Sequence, residues 1–140
     1  MAKSDFENLK VYQMSEKLAD EIWEVVLGWD RFARNTVGGQ IVRAADSIGA
    51  NIAEGAGRGT FNENRRFIRI ARGSLKETQH FLRRAYMRKL LNERQINTIK
   101  PFIDNLAPML NGYLRSIGTV ANKATNKRPR TTDYGLRTTD

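Results

Sequence analysis

Residues 44–60 constrain this chain more than any other stretch. Ala44, Ala45, Ser47, Gly49, Ala50 and Ala53 form a run of small side chains, and Gly55, Gly57 and Gly59 follow at alternate positions before Thr60. Ile41, Ala45, Ile48 and Ile52 recur at i, i+4, i+7 and i+11, which predicts a helix with a single apolar stripe. Gly49 inside such a helix costs about 1 kcal/mol against alanine, and close approach of a neighbouring backbone is the natural compensation. Gly55 suits the left-handed position past a helix end, and Thr60 with Glu63 makes a capping box, so the next helix is expected from about Phe61. The two helices must then fold back as neighbours. Ser47, Asn51 and Glu54 share one edge of the first, a polar rim expected to bond the second, with Gly55 and Gly57 as structural residues of the turn.

Three further helices follow from the same periodicity. Ser4 and Glu7 fit a capping box ahead of Val11, Met14, Leu18, Ile22, Val25 and Trp29, whose spacings of three and four predict helix one. Its opposite side is acidic, with Glu16, Asp20, Glu21 and Glu24 around Lys17. Residues 30–36 read as a connection, with Trp29 and Phe32 closing the end of the core and Thr36 capping helix two. In helix three the expected seam is Phe67, Ala71, Ser74, Leu75, Thr78, Leu82 and Ala85. Asn92 with Gln95 caps helix four, whose Ile96, Ile99, Ile103, Leu106, Leu110, Tyr113 and Ile117 keep phase through Pro101 and Pro108, where bends are expected. Four amphipathic helices with short connections predict an all-α fold, an antiparallel up-and-down four-helix bundle over residues 1–121. Residues 122–140 lose the pattern and read as a basic, disordered tail, with Arg-Thr-Thr-Asp occurring twice.

Charge is distributed unevenly. The chain carries a net +9, yet residues 1–30 hold 3 basic against 7 acidic groups and residues 61–91 hold 9 against 2. At 100° per residue Arg65, Arg69, Arg72, Lys76, His80 and Arg83 fall on one face of helix three, away from its seam. Such a strip spans about 27 Å at 1.5 Å per residue and can follow a phosphate backbone. The same charge also serves as a solvated surface, and Lys127, Arg128 and Arg130 in the tail could add to polyanion attraction.

No residue set in the sequence specifies catalytic or metal chemistry. There is no cysteine, and His80 is the one histidine, so neither a nucleophile–base pair nor a thiolate site has members. Glu77 and His80 have the spacing of a di-iron motif, but such a site needs two of these pairs. Gly55-Ala56-Gly57-Arg58-Gly59 lacks the preceding strand of a dinucleotide fingerprint, although Arg58 beside a helix N-terminus could meet one phosphate. No cofactor, no metal and no enzymatic activity are expected. The absence of a long apolar run or a signal-peptide core points to a cytoplasmic protein without a membrane partner.

Arg43-Ala44-Ala45-Asp46-Ser47-Ile48, Asn51-Ile52-Ala53-Glu54-Gly55-Ala56-Gly57-Arg58 and Arg66-Phe67-Ile68-Arg69-Ile70-Ala71-Arg72-Gly73-Ser74-Leu75-Lys76-Glu77, with Phe6, Leu9, Val11 and Tyr12 before them, resemble the four-helix bundle proteins of the ribosomal RNA intervening-sequence family. The resemblance covers roughly residues 5–120 and leaves out the tail. It implies an up-and-down bundle assembled as a ring, commonly a homopentamer, and no catalytic residues. It also implies a distant likeness to the accessory variability proteins of retroelements, which pair with a reverse transcriptase and bind nucleic acid. Two functions therefore stand open at this stage. One is an RNA- or DNA-binding accessory protein contacting phosphates through Arg58, Arg65, Arg69, Arg72, Lys76 and Arg83. The other is a homo-oligomeric scaffold held by acidic helix one of one subunit against basic helix three of the next.

Overall fold

A computed structural model describes residues 5–119, so Ser4 and the tail lie outside the described residues. Four long helices account for most of it: α1 (Lys10–Leu27), α2 (Gly39–Ala56), α3 (Phe61–Met87) and α4 (Glu93–Ser116). No strand occurs among the described residues, and no helix among them is long and apolar enough to cross a membrane. Each helix packs on two others in a closed cycle, α1 on α2, α2 on α3, α3 on α4 and α4 on α1. That leaves α1 and α3 on opposite corners.

The helix starts follow local chemistry, in places differently from the spacing. A 3-10 turn, Asp5–Asn8, precedes α1, which begins at Lys10 with no side-chain cap, so the predicted start near Ser4 moves inward. Asp30, rather than Thr36, caps the second helical run: its Oδ1 accepts from the Ala33 N–H at 3.0 Å. One α turn (Arg31–Ala33) and a π-helical segment (Arg34–Gly38) then feed directly into α2. Thr36 sits inside this run and turns its hydroxyl back to the Phe32 carbonyl at 2.6 Å, a bond helix-interior threonines make readily. Asn92 and Gln95 form the full reciprocal capping box at the head of α4. Thr60 caps Glu63, whose carboxylate turns to Arg66 instead of closing its box. α4 runs unbroken through Pro101 and Pro108, both exposed, as are Asn97 and Asp104, whose carbonyls lose their helical partners on the solvent side.

The core is the expected stripe of each helix with three shifts. Leu18, Ile22, Ile41, Ile48, Ile52, Ile68, Leu106 and Leu110 are all but fully buried. Ile68 and Asn64 take the place predicted for Phe67, which is only half-buried and carries two arginines over its ring, as described below. Val26, not Val25, is the buried valine near the end of α1, and Phe32, expected to close the core, is 77% exposed. Trp29 does close it, donating its indole N–H to the Leu90 carbonyl at 2.9 Å and so tying the α1–α2 connection to the α3–α4 connection. Trp29→Phe keeps a buried ring but orphans that carbonyl, and should lower the unfolding free energy by about 1–2 kcal/mol in urea denaturation.

Candidate nucleic-acid interface on the third helix

The turn between α2 and α3 carries a correction. Gly55 is not in a left-handed conformation: it lies inside α2, which is capped at Gly57 with φ −87°. What forbids a side chain at 55 is space. A Cβ there would lie 2.6 Å from Asn64 Oδ1, 3.0 Å from Phe67 Cβ and 3.1 Å from the Asn64 carbonyl oxygen. Gly57 and Gly59 meet nothing closer than 3.6 Å, so the alternating glycines are not jointly required by the turn. Farther along the same seam Ser47 and Ser74 share a hydrogen bond of 2.9 Å, and Asn51 donates to the Ser47 carbonyl and hydroxyl at 2.8 and 3.0 Å. Ser47 thus bonds the neighbouring helix, Asn51 supports it from the same helix, and exposed Glu54 pairs with Arg58 at 2.7 Å.

The six nominated cations divide into two sets. Arg58 is held by Glu54 and lies over the Phe67 ring, 4.8 Å from its centroid. Arg65 donates to the Ile117 carbonyl at 2.7 Å and to Asn62 at 3.0 Å, clasping the start of α3 to the end of α4. Arg72 donates to Asn111 of α4 at 3.0 Å. By contrast Arg69, Lys76 and Arg83 are exposed and make no hydrogen bond or ion pair among the described residues. They stand seven residues apart, about 10 Å per step along the helix. His80, on the same face, is exposed and packs edge-on to Phe81.

Sequence reasoning missed Arg66, Asn64 and Asn111. Arg66 lies over Phe67 at 4.6 Å from its centroid and pairs with Glu63, holding that carboxyl below the usual range. Its i+3 spacing from Glu63 was the available signal. Asn64 lies one helical step ahead of Ile68 on the buried seam, which its polar side chain disguises. Asn111 had no local signal, since its role depends on the neighbouring helix.

The opposite corner is acidic. Glu16, Asp20 and Glu24 of α1 are exposed and make no salt bridge among the described residues. Burial, a hydrogen bond to Glu16 and the charges of Glu16, Glu7 and Asp20 push the Tyr12 phenol up to about 12. A phenol held neutral in the fold adds stability that is intact below its unfolded value of 10.0 and is lost as the pH rises to about 12. Stability across that window should fall in the native protein and fall less in Tyr12→Phe, as measured by denaturant unfolding. Among the described residues no group of three His, Cys, Asp or Glu is arranged to hold a metal ion.

The described residues thus form an all-helical bundle with a cationic corner on α3 and an acidic corner on α1. A family model described as 23S rRNA-intervening sequence protein matches residues 7–112, and the chain belongs to that family. No curated protein matches it.

Proposed function

We propose that this protein is a non-catalytic accessory bundle that holds RNA or DNA by its phosphate backbone, through the outward strip of α3, in support of a partner such as a reverse transcriptase. The observation that carries this reading is the exposed, unpaired set Arg69, Lys76 and Arg83, on the corner diagonal to the acidic helix, where no acidic side chain of α1 can neutralise it. Arg65 and Arg72 flank the strip, each with guanidinium donors beyond those bonded to α4. The contacts go to phosphates and leave base edges unread. The family description names a stretch of ribosomal RNA, which fits such a partner.

An antiparallel up-and-down arrangement suits this role. It is supported by the Arg65 to Ile117 bond between the start of α3 and the end of α4, and by the Trp29 to Leu90 bond between two connections at one end. Assembly into a ring of five in the cytoplasm completes the proposal. The test is fluorescence anisotropy with generic RNA and double-stranded DNA between 50 and 200 mM salt, where phosphate-led binding weakens steeply. Binding that is absent at low salt, or indifferent to salt, would sink it.

The scaffold reading, with α1 of one copy on α3 of the next, is favoured by one observation: the exposed acids of α1, which form no salt bridge among the described residues. Light scattering separates the readings, since a charge-paired assembly dissociates as salt rises.

A further inference from the structure

The acidic corner has a feature that solvated charge does not explain. Along α1 the residues Glu16, Asp20, Trp23 and Leu27 recur at i, i+4, i+7 and i+11, one strip about 16 Å long. Two are large apolar side chains left half in water: Trp23 is 51% exposed and Leu27 50%. Phe32, just beyond the end of α1, is 77% exposed. A half-exposed tryptophan flanked by exposed carboxylates that form no salt bridge among the described residues is the composition of an interface centre and its rim. The adjoining α2 contributes Asp46, whose carboxyl is pushed up by burial and by the charge of Asp20, so negative charge faces the strip from both helices.

We infer that the α1 strip Glu16, Asp20, Trp23 and Leu27 is the docking face for a basic amphipathic helix of a partner protein, whose cations meet the carboxylates and whose apolar side chains cover Trp23 and Leu27. The helical repeat of the strip matches a helical occupant, and its charge selects a basic one. The α3 strip of a second copy is a poor occupant. It is basic, but between Arg65 and Arg83 it offers cations and His80 alone, and its exposed apolar residue, Met87, comes only at the end of the helix. This face lies across the bundle from the polyanion strip, so the inference stands or falls separately from the function proposed above.

The test titrates the full chain with a synthetic 18-residue Lys/Leu amphipathic peptide and, separately, with a Glu/Leu peptide of the same apolar pattern. Trp23 is the exposed reporter, since Trp29 is 8% exposed and already hydrogen-bonded. Binding of the Lys/Leu peptide should shift tryptophan emission to the blue and slow acrylamide quenching severalfold. Glu16→Lys with Asp20→Lys should weaken that binding at least tenfold, while circular dichroism and nucleic-acid affinity stay those of the native chain. The inference is overturned if emission does not respond, if the Glu/Leu peptide binds equally, or if the double variant binds unchanged. It is also overturned if sedimentation shows that the protein alone self-associates through this face and that the same substitutions abolish it.

Discussion

Gly55→Ala should lower the unfolding free energy by about 2–3 kcal/mol and the melting temperature by roughly 10 °C, although alanine is the better helix former. The added methyl meets Phe67 Cβ at 3.0 Å and the Asn64 carbonyl oxygen at 3.1 Å, atoms fixed close to the α3 backbone, as well as Asn64 Oδ1 at 2.6 Å. Relief requires α2 and α3 to part at this contact, in which Asn64, 3% exposed, is itself buried. Gly73→Ala is the control. Its Cβ would meet nothing within 4 Å on an exposed part of α3, so the same change there should stabilise by about 1 kcal/mol. Thermal and urea unfolding of the two variants should move in opposite directions. If Gly55→Ala were neutral, the glycine would not be serving the helix–helix contact.

Reversing the unpaired cations, Arg69→Glu, Lys76→Glu and Arg83→Glu, should reduce nucleic-acid affinity at 50 mM salt by at least about a hundredfold. Five phosphate contacts along α3 imply a slope of log affinity on log salt near −4.5 for duplex DNA, and removing three should leave about −2. Stability should change little, since all three side chains are exposed and bond to no described residue. Arg65→Glu is expected to behave differently. It breaks the clasp to the Ile117 carbonyl and should destabilise the fold as well as binding. An unchanged slope in the triple variant would move the interface off α3.

The sequence already held the four helices, since each apolar stripe repeats at three and four and the caps at Thr60 and Asn92 are local chemistry. It also held the acidic α1 and the basic α3, because charge on one face follows from helical geometry alone. The cap it misplaced shows the limit. Thr36 has a suitable side chain, but Asp30 caps the run that feeds α2, and α1 begins at Lys10 with no side-chain cap.

What the sequence could not supply was the division of the cations. Arg65, Arg69, Arg72, Lys76 and Arg83 are equivalent by period. Only the position of α4, with the Ile117 carbonyl and Asn111 at its edge, ties down Arg65 and Arg72 and leaves the other three to the solvent. The meaning of Gly55 was settled in the same way. Read locally it is a conformational glycine, whereas its backbone is ordinary helix and its missing side chain makes room for α3. Periodicity and capping depend on neighbours a few residues apart, which any reader of the chain can see. Bonds and clashes between helices depend on their separation in space, which the folded bundle alone decides.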